Sequence, residues 1–339
     1  VALAEFELIR QYFNTAELTF SRPGIVLGPG DDCALLAVPA GSHLAMSMDT
    51  LNEGVHFPVD ADAAELAQRC LRVNLSDLAA MGAEPLGFTL ALSLPSVSEH
   101  WLQGFSSGLL ACATQYQCSL LGGDTTRGPL AITVQVHGLV PAGQALRRDG
   151  ARVGDRIYVT GTLGDAALAL PYLTRPPGFD LTALRPADRA MLQAAFYRPV
   201  ARVDAGMALR GLASAAIDIS DGLASDLTHI LQASAVGTIA PGAVLDSASV
   251  PVSDVFSRLV DTPERLSLAL AGGDDYELCV TVPAQYEAQA QAAMQALGLQ
   301  FTRIGEVVAD SGIMVRDGSG VVQPLRLNGY RHFGNEDNE

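Results

Sequence analysis

The chain has 339 residues, 49% of them hydrophobic and 17% charged, and a formal net charge of −16 at pH 7. That length suits two domains, each with its own core, and the composition excludes a disordered chain. With 37 acidic against 21 basic residues and no basic run, a nucleic-acid surface and an anionic-membrane surface are both disfavoured.

Taken in order, the start "VALAEFELIRQYF" lacks the profile of a signal peptide. No window approaches the roughly 18 to 20 uninterrupted apolar residues of a bilayer crossing, so the expectation is a soluble, cytoplasmic protein. Strands are expected at 43–50, 86–95, 118–126 and 130–141, with helices at about 62–81 and 98–117 between them. After the polar segment "AGQALRRDGARVGD" the pattern restarts. "RIYVTG" and "AAIDIS" read as strands, and helices are expected near 164–174, 187–196, 204–213 and from about 221. "YELCVTV" is a further strand, followed by a helix near 284–297 and closing strands near 301–308 and 312–316. The domain boundary is expected near residue 148, giving an N-terminal domain over 1–148 and a C-terminal α/β domain over 149–339.

The five cysteines (Cys33, Cys70, Cys112, Cys118, Cys279) are odd in number and never form a C-x-x-C pair, so they are expected to be small core residues rather than disulfides or zinc ligands. Neither G-x-G-x-x-G early in the chain nor G-x-x-x-x-G-K-[ST] is present, which leaves a Rossmann site or a P-loop without support.

Aspartates recur where a strand or tight turn ends: Asp31 and Asp32 after "GPG", Asp49 after "HLAMSM", Asp124 after "LLGG", Asp218 and Asp221 in "AIDISDG", Asp274 and Asp275 after "LAGG". One such residue is usually a turn former or an N-cap. So many in one context point instead to a ligand site beyond the carboxyl ends of strands. Helical spacing puts Asp77 on the line of Leu66, Cys70 and Val73, an apolar stripe, while Gln68, Arg69, Arg72 and Ser76 are expected on the solvated side. Two carboxylates ~4 Å apart repel by about 4 kcal/mol at an effective dielectric near 20. Mg²⁺ answers that repulsion, since it takes one or two carboxylates and completes its shell with water and phosphate oxygens. Asp31 and Asp32, at a rigid and half-buried joint, are therefore better read as metal ligands than as surface charges.

The stretches "GPGDDCALL", "SMDTLNEGVHF", "NLSDLAAMGAEP", "LLGGDTTRGPL", "RRDGARVGDRIYVTG", "AIDISDGLASDL", "GGDDYELCVT" and "LNGYRHF", in order from residue 28 to 333, resemble the thiamine-monophosphate kinases, in the wider group of aminoimidazole ribonucleotide synthetase. The resemblance implies a two-domain α/β (α+β) fold, with an N-terminal mixed sheet plus helices and a C-terminal α/β domain. It also implies a homodimer formed through the N-terminal domains, ATP as co-substrate and several Mg²⁺ ions. Carried over by motif, Asp32, Asp49, Asp77, Asp124, Asp218 and Asp221 look like Mg²⁺ ligands, and Ser47 adds an oxygen. Gly123, Asp124, Arg148 and Ser220 look like nucleotide contacts, and His56, Asp274 and Tyr330 contacts to thiamine monophosphate. Met48 stands where the family commonly has a hydroxyl residue, so only its backbone carbonyl remains as a ligand. Asp274 stands where glutamate is common. The acceptor is a phosphate monoester with a second pKa of ~6, so its oxygen is mostly ionised at neutral pH and no catalytic base is required.

Overall fold

The computed structural model describes residues 5–174 and 184–325, and it divides into two compact units. The first is Val1–Ala145 with Tyr197–Val203, and the second is Leu146–Phe196 with Asp204–Glu339.

The first unit begins with a short helix α1 (Glu5–Leu8) and a π-helical turn (Ile9–Phe13). A small hairpin of β1 (Ile25–Leu27) and β2 (Leu35–Leu36) follows, and between its strands lies the Gly28–Cys33 loop. Its sheet has the order β3 (Ser42–Asn52), β6 (Ala131–Pro141), β4 (Glu84–Leu94), β5 (Ser119–Arg127). The pairs are antiparallel except β4 with β5, and β3 runs against β6 in register over its whole length, from Ser42 opposite Pro141 to Asn52 opposite Ala131. Period-2 alternation sorts β6 cleanly: Ile132, Val134 and Val136 are fully buried, whereas Thr133, Gln135 and His137 are half-buried on the other face.

Two helices cover the buried face. In α2 (Ala63–Ala80) the Asp62 carboxylate caps the start by accepting the amides of Ala64 and Glu65, both at 3.0 Å. In α3 (Glu99–Gln115) Ser98 does the same for Trp101. The helices approach so closely that a Cβ on Gly108 would lie 2.1 Å from the Ala64 carbonyl oxygen. The expected solvated side of α2 is corrected here: Arg69, Arg72 and Ser76 are all buried. The segment Tyr197–Val203 returns to the first unit and meets α2 at Arg72 and Glu65. Arg72 donates to the Pro199 carbonyl at 3.2 Å, to Gln115 at 2.7 Å and to Tyr116 Oη at 3.0 Å, and Arg198 pairs with Glu65 at 3.2 Å.

The second unit carries a seven-stranded sheet in the order β13 (Val322–Pro324), β12 (Gly312–Arg316), β9 (Gly242–Asp246), β11 (Phe301–Val308), β7 (Arg156–Thr160), β10 (Leu278–Val282), β8 (Ala215–Asp218). Only β9 and β12 run parallel. Its helices are α4 (Asp165–Thr174), α5 (Pro186–Tyr197), α6 (Val203–Ala208), α7 (Leu223–Ala233), α8 (Asp254–Leu259), α9 (Thr262–Ala271) and α10 (Glu287–Ala296). The core is built from Ile157, Val159, Ile217, Leu227, Leu245, Phe256 and Cys279. Of the five cysteines, Cys70, Cys112, Cys118 and Cys279 are core residues as expected, whereas Cys33 is exposed in the Gly28–Cys33 loop. Among the described residues no helix is long and apolar enough to cross a membrane.

Candidate active site

The open face of the four-stranded sheet bounds a cavity of about 790 Å³. Its rim includes Gly30, Asp31 and Asp32 from the β1–β2 loop and Gly123, Asp124 and Thr125 from β5, and its walls include Phe13, Leu36, Leu121 and His137. Asp32 and Asp124 are thereby brought to one cavity. The joint is not half-buried as expected: both carboxylates at 31 and 32 are exposed, and Asp31 Oδ1 accepts the Asp32 amide at 2.8 Å, which pins the turn. Gly123 is where backbone must meet backbone, since a Cβ there would stand 1.9 Å from the Leu90 carbonyl oxygen. His137 has a buried Nδ1 without a hydrogen-bond partner, and burial pushes its pKa below the ordinary value, so the ring is neutral.

A second acidic group joins β3 to α2. Ser47 and Asp49 lie two residues apart, on the β3 face that meets α2. The Ser47 hydroxyl donates to Asp77 Oδ2 at 2.6 Å, and the Asp49 amide donates to Asn74 Oδ1 at 2.9 Å. Asn74 is held in turn by donating to the Cys70 carbonyl at 2.9 Å. The stripe of Leu66, Cys70 and Val73 is buried and Asp77 continues it, half-buried. Burial first, and then the negative charge of Asp77, push the Asp49 carboxyl up to about 6. The Met48 side chain points to the opposite face of β3 and is 60% exposed, so it stands apart from this group. In the turn after β3, His56 Nδ1 accepts the Asn52 amide at 3.0 Å.

In the second unit β8 ends at Asp218, which is buried, and the chain turns through Ser220, Asp221 and Gly222 into α7. Asp226, one turn into α7, reaches back so that its Oδ2 accepts the Asp221 amide at 3.1 Å. Burial, followed by the charge of Asp221, pushes Asp226 up to about 7, and the Arg148 guanidinium acts in the opposite direction. The Gly272–Tyr276 loop lies on this turn: the Asp274 amide donates to the Ser220 carbonyl and the Tyr276 amide to the Ile219 carbonyl, each at 2.8 Å. Gly273, with φ +69°, is obligatory here, since a Cβ would lie 2.6 Å from the Ser220 carbonyl oxygen. Ser220, Asp221, Asp274 and the field of Arg148 thus share one place. Tyr330 lies outside the described residues.

Asn74 and Asp226 belong to these groups and are not among the aspartates and motif residues that the sequence marks, whereas Asp275 is one of the marked aspartates without an assigned role. Asn74 stands one helical turn before Asp77, a spacing that could have flagged it. Among the described residues no group of three or more His, Cys, Asp and Glu side chains is arranged to hold a metal by itself.

Residues 30–140 match the model of the AIR synthase related protein N-terminal domain, and residues 152–318 match that of the C-terminal domain. The thiamine-monophosphate kinase of Salmonella typhimurium is 48% identical over 335 residues, covering 98% of this chain and 99% of that protein. The chain belongs to the thiamine-monophosphate kinase family. The crystal structure of the thiamine-monophosphate kinase from Stenotrophomonas maltophilia superposes with a TM-score of 0.83 at 46% identity, covering 93% of this chain and 97% of that one. A solved complex of AaThiL with AMPPCP and TMP superposes with a TM-score of 0.73 at 29% identity, covering 98% and 97%. The two-unit α/β architecture is therefore that of thiamine-monophosphate kinases.

Proposed function

We propose that this chain transfers a phosphoryl group from ATP to thiamine monophosphate, releasing thiamine diphosphate and ADP. The observation that carries the reading is its 48% identity, end to end, with a curated thiamine-monophosphate kinase. AaThiL, solved with AMPPCP and TMP, supports the same pair of substrates here. Gly123, Asp124, Arg148 and Ser220 contact the nucleotide, and His56, Asp274 and Tyr330 contact the acceptor.

Mg²⁺ fits the residues present. The Ser47 hydroxyl bonds Asp77, and the half-buried carboxyl of Asp49 is held toward its protonated form by burial first and then by the charge of Asp77, the condition that a hard cation relieves. Asp32, Asp49, Asp77, Asp124, Asp218 and Asp221 are its carboxylate ligands, with the Ser47 hydroxyl and the Met48 carbonyl. Acidic pairs rather than closed cages suit this ion, which keeps waters and completes its shell with phosphate oxygens. When bound, Mg²⁺ neutralises charge on the donor and acceptor phosphates. The protein's own work is positioning. The Ser220–Asp221 turn is fastened by Asp226, and an acceptor that is already ionised needs no side chain to remove a proton.

The enzyme works as a homodimer through the open face of its N-terminal sheet, where Met46 and Met48 are 59% and 60% exposed. A cytoplasmic setting agrees with ATP as co-substrate and with five free thiols.

The test is an assay with ATP and thiamine, thiamine monophosphate or no acceptor, with the products identified. Thiamine diphosphate and ADP are expected in equal amounts, from thiamine monophosphate alone, and a chelator abolishes them. Phosphate release without an acceptor would make this a phosphatase, and phosphorylation of free thiamine would overturn the acceptor assignment.

A further inference from the structure

The Gly272–Tyr276 loop has an unusual backbone: Gly273, Asp274 and Tyr276 have φ of +69°, +62° and +50°. Two of these are not glycine, and left-handed conformations at such residues persist only where the surroundings hold them. One side of the loop is held by the Ser220 and Ile219 carbonyls. The other side is reached by Asp275, whose Oδ1 accepts the Gly164 amide at 2.8 Å.

Gly164 is a fixed anchor. It precedes α4 with φ +88°, and a Cβ there would stand 2.5 Å from Phe256 Cε2, in the core of the second unit. Asp165, the first residue of α4, is itself tied by Ser253 at 2.7 Å and Thr162 at 3.0 Å. Glu277, just beyond the loop, takes the Thr160 hydroxyl at 2.6 Å.

We propose that Asp275 is a positioning residue, which ties the loop bearing Asp274 to the start of α4 and so fixes where the Asp274 carboxylate meets the acceptor substrate. The inference rests on the reading that Asp274 contacts thiamine monophosphate.

The form of the tie follows from its surroundings. Asp275 Oδ2 is buried with no hydrogen-bond partner, and Glu277, Asp165 and Asp274 all bring negative charge toward it. Burial raises the Asp275 pKa well above its ordinary value, the Gly164 amide opposes the rise, and these three charges add to it, which favours the protonated acid with Oδ1 accepting. An asparagine has the same shape, the same charge and the same acceptor. Asp275→Asn is therefore the conservative replacement and Asp275→Ala the disruptive one.

The experiment measures KM for both substrates, together with kcat and thermal melting, in Asp275→Asn, Asp275→Ala and Asp274→Ala. Asp275→Ala is expected to raise KM for thiamine monophosphate at least tenfold while KM for ATP stays within threefold. Asp275→Asn is expected to restore KM for thiamine monophosphate to within threefold of the wild type. A contribution to folding alone would lower the melting temperature without splitting the two KM values. Should Asp275→Ala fail to fold, Asp275→Ser, whose hydroxyl is too short to reach Gly164, is read in the same way. Unchanged KM for thiamine monophosphate in the disruptive variant overturns the proposal, as does an asparagine variant as impaired as the alanine one. Asp274→Ala separates the two levels: if it leaves KM unchanged, the assignment of Asp274 is wrong, whereas a rise there with none in Asp275→Ala condemns only the tie.

Discussion

Asp124 and Asp49 carry the same charge but in opposite settings, and their substitutions should part accordingly. Asp124 is exposed on the rim of its cavity, so Asp124→Asn removes little that folding depends on, within about 0.5 kcal/mol for a surface position. If Asp124 is the metal and nucleotide ligand proposed above, it should matter far more to turnover: kcat is expected to fall by roughly 100-fold while the melting temperature barely moves. Equal losses in the two measurements would make it a structural residue. Asp49 faces Asp77 from a half-buried position, and without a cation that juxtaposition opposes folding. Asp49→Asn is expected to raise stability in a chelator by on the order of 2 kcal/mol and to abolish activity. Thermal melting with and without Mg²⁺ checks this: the proposed site predicts that the ion stabilises the wild type and that the variant loses most of that stabilisation. The aspartates that end strands could be picked out in the sequence because each follows a glycine turn or an apolar run. The roles of Asn74, Asp226 and Asp275 could not, even where the residue itself stands out, because what each does is set by an amide elsewhere in the chain: Asp49, Asp221 and Gly164.

Helix α2 shows what periodicity contains and what it omits. The apolar stripe and both ends of the helix follow from spacing and from the Asp62 cap. The burial of Arg72 does not, because the carbonyl it satisfies belongs to Pro199, 127 residues along the chain. Arg72→Ala leaves that carbonyl and Gln115 without their charged donor and should destabilise the protein by on the order of 3 kcal/mol in chemical denaturation. A change below 0.5 kcal/mol would mean that the segment Tyr197–Val203 is held by packing alone. The strand expected at 276–282 likewise begins at Leu278, since Tyr276 has left the extended conformation to reach the Ile219 carbonyl. Helix α5 is joined to α8 by Asp188, whose carboxylate receives both terminal nitrogens of Arg258, at 3.0 and 2.8 Å. Arg258, with Arg185 in support, holds the Asp188 carboxyl down at about 2 against an ordinary 3.8. A depressed carboxyl gives stability that is complete above about pH 4 and is lost as the pH falls through about 2. Asp188→Asn should therefore lower stability near neutral pH and flatten the acid limb between those values, as measured by urea titrations at a series of pH values. An unchanged acid limb would remove this pair from the account.

At the scale of the whole molecule, charge and exposed surface pull in different directions. Each chain carries a formal −16, so two copies repel at long range, and association must come from short-range apolar burial. The first unit offers such a surface. Its sheet is packed by α2 and α3 on one face only; on the other face β3 shows Met46 and Met48, and the β1–β2 hairpin of the same unit has Val26 65% and Leu35 53% exposed. The alternation of β3 could be read in the sequence, but which of its faces stays open could not, because that depends on the helices lying on one side. If this face is the dimer interface, the wild type should elute at twice the 35.5 kDa mass of one chain, and it should remain there as salt is raised, since screening relieves the repulsion and leaves the apolar contact intact. Replacing Met46 and Thr50 with lysine puts two charges on the open face, next to neither helix, so the fold should survive while the interface loses its apolar contact. Light scattering on the eluted peak is expected to give a monomer with unchanged helical content. A wild type that is monomeric at micromolar concentration would refute the dimer directly, and a double variant that stays dimeric would move the interface to another part of the surface.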